Sequence, residues 1–266
     1  MADPVSLRPA AAAAGSPLVD EGWTFARAVV DRDLLDRLRA DLATAYQRCR
    51  QIQITNGIGD ATDGTVHHLP CFERSFVDFL ECGYGEAELS SFFGGPYIVN
   101  SYGGVLNLPG NLSYVGKVHR DLRTFSGDLP LMAQLLVMLD DFTEENGATY
   151  LLGRSHRMNA QPSDEEFFRG ATRAIGPAGS IVVFNSNLWH AAGVNRSETP
   201  RRALTIVFTK PFMKQQLDYP RAIDRARVGA LSPRLEQLLG YNARVPTSLD
   251  EWYQPPDKRL YKRDQG

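Results

Sequence analysis

VHRDLRTFSGDLPLMAQLLVML, residues 118–139, carries two signals that set the reading of the whole chain. Its second half, Leu131 to Leu139, is apolar except for Gln134. A short run of that kind is expected of a strand buried on both faces, and a glutamine inside it needs a partner or a ligand. Its first half spells His119-Arg120-Asp121. On an extended strand, residues i and i+2 point to one face, so an imidazole nitrogen and a carboxylate oxygen would converge on one point with Arg120 turned away. That is half of a metal site, and a His and an Asp in an ordinary loop is the plain alternative. The same letters open the protein-kinase catalytic loop. That loop needs an Asn where this chain has Ser126, together with a Gly-rich phosphate loop and a D-F-G, and the chain has neither, so a kinase is excluded.

Outward from this stretch, the texture from about residue 96 to 212 is one of short β-rich runs between Gly, Pro and Asn turns. PYIVNSY, GGVLNLPGN and LSYVGKVHRD precede the apolar strand. The turn DDFTEENG, then ATYLLG, SIVVFNSNLWH and RRALTIVFTKPF follow it. Many short strands at this spacing indicate a sandwich or barrel. Upstream, Glu21 to Val30 reads as a loop and short strand. A packing helix is expected next, capped by Asp31 or Asp33, with Leu34, Leu35, Leu38, Leu42, Ala45, Tyr46 and Cys49 on one face. Residues 51–70 read as a loop, with His67 and His68 near a cleft, and residues 72–93 as mixed helix. Ser232 to Leu239 is expected to be a short helix, because Ser232 caps it, Pro233 suits its first position and Gly240 its end. Residues 1–17 are read as a disordered leader and 18–255 as one domain with its core at 96–212, while Tyr241 to Gly266 is read as a strap over the surface whose last stretch, 256–266, is a tail ending in disorder.

Composition narrows the function. The 266 residues are 43% apolar and 23% charged, ordinary for a soluble globular chain. A net charge of −2 offers no electrostatic case for nucleic acid, and no window is apolar enough to span a membrane. The three cysteines form no C-x-x-C, which suggests a reducing, cytoplasmic setting and argues against a thiolate zinc site. The partner expected is a small molecule, and the composition does not bear on oligomeric state.

Two more residues complete the constellation. His190 ends the run Ser180–Trp189, 69 residues after Asp121, and could meet the H-x-D face if the strands belong to facing sheets. Two imidazoles and one carboxylate on one face of a metal, with positions left open, suit non-haem iron(II) oxygenases. A buried histidine satisfied by a carbonyl is the alternative. Arg201 follows His190 by eleven residues and shares strand parity with Ala203, Thr205 and Val207. An inward-facing Arg is costly unless it meets an anion, and a carboxylate fits its fork. Arg202, of opposite parity, is expected to face solvent.

H-x-D, the distal His and the Arg, in that order and at that spacing, resemble the phytanoyl-CoA dioxygenase family of Fe(II)/2-oxoglutarate oxygenases. Asp140 to Gly147 is similar to that family's connection after the second core strand. Gly153-Arg154-Ser155-His156-Arg157 resembles its P-G-S-H-R loop, with Gly-Arg in place of Pro-Gly. The resemblance covers roughly residues 18–255. It implies a mainly β fold with flanking helices around a double-stranded β-helix (jelly-roll, cupin-like) core. It implies Fe(II) held by His119, Asp121 and His190, 2-oxoglutarate bound by Arg201 with Gln134 and Thr149 as further contacts, O2 as oxidant, and a structural role for His156. The implied activity is oxidation of a substrate C–H bond with release of succinate and CO2, hydroxylation being the default. Halogenases of this kind lack the carboxylate ligand, so Asp121 speaks against halogenation. A non-oxidative metal enzyme or a non-catalytic small-molecule-binding protein on the same barrel is the alternative. The segments expected at the mouth supply Arg74, Tyr102, Asn107 and Arg123 as substrate contacts, with Tyr219 nearby, and a natural-product intermediate as the expected substrate.

Overall fold

The computed structural model describes residues 17–110 and 116–265, and within them the strands form two antiparallel sheets. The strands are β1 (Trp23–Ala26), β2 (Thr65–Val66), β3 (Ile98–Asn107), β4 (Met132–Met138), β5 (Tyr150–Leu151), β6 (Thr172–Arg173), β7 (Ile181–Asn185), β8 (His190–Ala191) and β9 (Arg201–Thr209). The larger sheet runs β1-β7-β4-β9-β3-β2 and the smaller β6-β5-β8. The two face each other as the halves of a jelly roll.

Register decides which side chains see the interior. Residues directly opposite in an antiparallel pair share a face. Gln134 pairs with Val207 and with Phe184, Leu136 with Thr205, Gly103 with Thr205 and Asn107 with Arg201. These residues look into the roll, where Leu136, Met138, Val182, Phe184 and Ala203 pack with Phe142, Ala148 and Leu151 from the other layer. The alternate set, including Leu135, Leu204 and Ile206, faces out and meets the helices. The apolar run 131–139 is continuous because both faces of β4 are covered.

The helices are α1 (Pro17–Asp20), α2 (Arg32–Thr55), α3 (Arg74–Glu81), α4 (Glu86–Phe93), α5 (Asp164–Gly170), α6 (Tyr219–Ala222), α7 (Arg225–Val228), α8 (Pro233–Leu238) and α9 (Leu249–Trp252). Asp31 starts α2 by accepting from the Asp33 and Leu34 amides. Leu38 and Leu42 on its apolar stripe are fully buried, each stabilising the fold by ~1.5–3 kcal/mol. Ser232 caps α8 through the Leu235 amide, as its sequence predicts.

Several expectations need correction. Helix α2 runs on to Thr55 and takes the first residues of the expected loop 51–70, which also contains β2. The run Ser180–Trp189 is not one strand. At Asn185 the side chain accepts from the Asn187 amide and the carbonyl from the Leu188 amide, and this turn carries the chain from the larger sheet into the smaller. His119 to Asp121 forms no strand of its own, only a single antiparallel bridge from His119 to His190. The expected tail is packed as far as Gln265. Tyr261 bridges to Ala243, and Gln265 is buried and accepts from Gln237. Residues 1–16, nearly all of the expected leader, and residues 112–115 of LSYVGKVHRD lie outside the described residues.

Candidate metal centre

His119 and His190 are direct cross-strand partners. Each amide donates to the other's carbonyl, at 3.0 and 2.9 Å, and their ring centroids lie 4.3 Å apart. Paired residues of this kind project to one face, so the two imidazoles meet although they are far apart in the chain. Asp121 joins them. Its Oδ2 is 3.3 Å from Nε2 of His190 and its Oδ1 is 3.7 Å from Nε2 of His119. One ligand atom from each of the three lies within 4.8 Å of the others, the spacing of donors around one cation.

The two histidines are oriented in the same way. Nδ1 of His119 lies 2.7 Å from the Lys117 carbonyl, and Nδ1 of His190 lies 3.0 Å from the Leu188 carbonyl, in each case two residues back. A ring that donates from Nδ1 keeps its Nε2 lone pair free, and both lone pairs face Asp121. Burial works to raise the Asp121 pKa, but His190, His119 and the Gln134 amide overcome it, and the carboxyl is held below the usual range. Burial likewise lowers His119, aided by His190. At His190 burial is outweighed by Asp121, and the ring is raised. An ionised carboxylate and two imidazoles form a hard, mixed N/O donor set that suits a divalent transition metal.

The triad opens on a cavity of about 830 Å³ between the two sheets. Gln134, Thr149 and Arg201 line it. Gln134 has found its partner, because its amide donates to Oδ2 of Asp121. Arg201 is 3% exposed, and its Nε and Nη1 have no hydrogen-bond partner among the described residues. The Phe142 ring lies 3.9 Å from its guanidinium carbon and shields one face. Burial lowers its pKa to about 10, which leaves it charged at neutral pH. An ionised, unpartnered guanidinium facing a cavity is an anion site. Arg202 is not simply solvent-facing. It is half-buried and makes a two-pronged pair with Asp140 through Nε at 2.9 Å and Nη2 at 2.6 Å.

Of the expected substrate contacts, Tyr102 and Arg123 border the cavity and Asn107 and Arg74 do not. Tyr102 is on the outward face of β3, buried against Phe76 of α3 with ring centroids 6.0 Å apart. Tyr102 borders the cavity while its ring packs in the core cluster with the helices. Asn107 shares the face of Arg201 but is spent on the Asn146 and Gly193 carbonyls. Arg74 does not line the cavity. It donates to the carbonyls of Val228 and Ala230 and ties the C-terminal segment to α3. Arg123 does line the cavity, exposed at its rim. Tyr219 is fully buried, its hydroxyl 3.1 Å from Nδ1 of His68, and both His67 and His68 border the cavity. His156 is 3.1 Å from the Val19 carbonyl and outside the cavity, in keeping with a structural role.

Arg120 and Trp189 were missed. The expectation turned Arg120 away by strand parity, which does not hold in a segment that forms no strand. Its guanidinium carbon sits 5.3 Å from the Phe125 ring and 5.2 Å from that of Trp189, and all three Arg120, Trp189 and His190 border the cavity. The position of Trp189 next to His190 was the one available signal.

Comparison with known proteins agrees with this architecture. Residues 107–203 match the family model described as Phytanoyl-CoA dioxygenase (PhyH). Protein Rv1501 of Mycobacterium tuberculosis is 44% identical over 149 residues, 56% of this chain and 54% of that protein, so the chain spans about half the length of this relative. The iron/alpha-ketoglutarate-dependent dioxygenase ausU of Aspergillus calidoustus is 25% identical across 85% of this chain and 80% of its own. The crystal structure of EctD from S. alaskensis, with 2-oxoglutarate and 5-hydroxyectoine, superposes with a TM-score of 0.58 at 14% identity and covers 73% of each chain, which speaks for the fold. The matched segment runs from the end of β3 to β9 and includes all three members of the triad and Arg201. The segment that carries the candidate site, residues 107–203, therefore resembles the phytanoyl-CoA dioxygenase (PhyH) family.

Proposed function

We propose that this chain is an iron(II)- and 2-oxoglutarate-dependent dioxygenase that oxidises a C–H bond of a small molecule. One observation carries the reading: Arg201, buried, charged and with Nε and Nη1 unpartnered, lines the same cavity as His119, Asp121 and His190. A metal enzyme with no anionic cosubstrate has no use for that guanidinium. When bound, Fe(II) with 2-oxoglutarate and O2 supplies the oxidising chemistry and releases succinate and CO2.

The residues divide the remaining work. His119 and His190 offer Nε2, each held by its Nδ1 contact to a carbonyl two residues back. Asp121 offers a carboxylate oxygen, and Gln134 steadies that carboxylate from the sheet. Arg201 would pair with the distal carboxylate of 2-oxoglutarate, and Thr149 lines the same cavity. The inner wall, with Leu136, Phe184 and Ala203, keeps bulk water from the reacting centre. Hydroxylation is the preferred outcome because Asp121 occupies the position that a halogenating site leaves open for chloride. A small or medium natural-product intermediate is the substrate this cavity suits, at about 830 Å³ with mixed polar and apolar lining.

Anaerobic addition of Fe(II) and 2-oxoglutarate should give a weak visible charge-transfer band at roughly 500 nm. Asp121→Ala should lose that band and all 2-oxoglutarate turnover, measured as succinate release without substrate. Full turnover in the variant, or no dependence on 2-oxoglutarate in the parent, would refute the assignment and leave a non-oxidative metal enzyme or a binding protein.

A further inference from the structure

The cavity has an uneven charge balance beyond the metal centre. Among the described residues, Lys117, Arg120, Arg123 and Arg201 line it, and Asp121 is the only carboxylate that does. On the reading above, the two charges of the metal cancel those of 2-oxoglutarate, and Arg201 cancels Asp121. Lys117, Arg120 and Arg123 then remain without a counter-charge. Among the described residues no carboxylate comes within ion-pair distance of any of the three. Asp128 lies on the same loop as Arg123 but does not line the cavity.

The three cations differ in kind. Arg120 is held in place by the Phe125 and Trp189 rings and by the carbonyl of Asn159 at 3.2 Å. It adds a fixed positive field to the wall. Lys117 and Arg123 are exposed, one just before His119 and the other just after Asp121, so they flank the H-x-D segment. Free cations at the rim of a partly apolar cleft draw in and orient an anion by its charged end. The inner wall below them is apolar, with Val105, Met132, Leu136 and Phe184.

We propose that the substrate is an amphiphilic anion. Its carboxylate or phosphate is held at the rim by Lys117 and Arg123, and its apolar body lies toward the metal centre. This rests on the dioxygenase reading for the charge balance, but the selectivity itself can be tested apart from it.

The test uses the full chain saturated with Zn(II), a redox-inert stand-in for iron, and 2-oxoglutarate. It is titrated with octanoate, octyl phosphate, octanol or octylamine, with binding followed by tryptophan emission, since Trp189 borders the cavity. At least one anion should bind about tenfold more tightly than octanol, and octylamine more weakly than octanol. The tighter of the two anions identifies carboxylate or phosphate. Arg123→Gln and Lys117→Gln should each weaken the anion about fivefold and leave octanol unchanged, Arg123→Lys should restore most of the loss, and added salt should erode the preference. The same titrations on Arg201→Met, without metal or 2-oxoglutarate, remove the deep guanidinium. Anion preference that persists there belongs to the rim, even if the charge-transfer band never forms and the dioxygenase reading fails. Equal binding of octanol, no binding of either anion, or full preference in the Lys117→Gln/Arg123→Gln double variant would overturn the proposal.

Discussion

Arg201 is a charge without a protein counterpart, and that makes it a stability liability until a ligand arrives. Its Nε and Nη1 have no partner among the described residues, and Asp140, whose charge supports it, is committed to Arg202. Isolated buried charges destabilise, and well-packed apolar replacements are often neutral or better. Arg201→Met should therefore leave the ligand-free chain as stable as the parent or ~1 kcal/mol more so. In the parent, 2-oxoglutarate with metal at a hundred times its Kd should add ~2.7 kcal/mol, and in the variant almost nothing. Thermal melts with and without 2-oxoglutarate decide this, and an equal rise in both proteins would remove Arg201 from the cosubstrate site. At this scale the sequence was most informative, because an inward Arg two residues from Ala203 on β9 is a matter of parity. It was least informative for Tyr102, Asn107 and Arg74. Parity alone does not say which face of β3 meets helices, and the Arg74 partners, Val228 and Ala230, lie more than 150 residues away.

Elements align the site through close backbone approach. Gly147, just before Thr149, lies against the backbone of Gly193, just after His190, with φ at 77°. A Cβ on Gly147 would strike the Gly193 carbonyl and come within 2.7 Å of the Asn107 amide nitrogen. Asn107 in turn donates to that carbonyl at 3.0 Å. The contact draws the end of β3 and the approach to β5 onto the loop that follows His190 and Ala191 of β8. Gly147→Ala should cost ~2–4 kcal/mol from left-handed strain plus overpacking, and should weaken metal binding as well. Urea melts and metal titration of the same variant check both, and a silent substitution would mean that the approach is loose. Its place in the turn DDFTEENG is plain from sequence, but the facing Gly193 is not. The same gap between local and distant information explains the run Ser180–Trp189. Its composition is that of one strand, and only the Asn185 turn, locked from both side chain and backbone, divides it between sheets.

For the whole molecule, the pattern of short strands and turns led to a sandwich or barrel, and the choice of a jelly roll with helices outside came from the family resemblance. The C-terminal segment was legible as a strap from its composition but not in its fastenings, because polar, irregular chain has no period. It is a strap, fastened by Arg74 to the backbone at Val228 and Ala230 and by Gln265 to Gln237. Arg74→Ala should lower stability by ~1–2 kcal/mol and leave 2-oxoglutarate turnover unchanged. A selective loss of substrate-stimulated turnover at normal stability would return Arg74 to the substrate site.

The pairing of His119 with His190 has a further consequence. The amides that hold the two histidines together report on the site without any ligand present. Each is sealed only while the roll is closed across the long stretch of chain between them. Amide hydrogen exchange at these two positions should therefore slow together and speed together, giving a gauge of site assembly that is independent of catalysis.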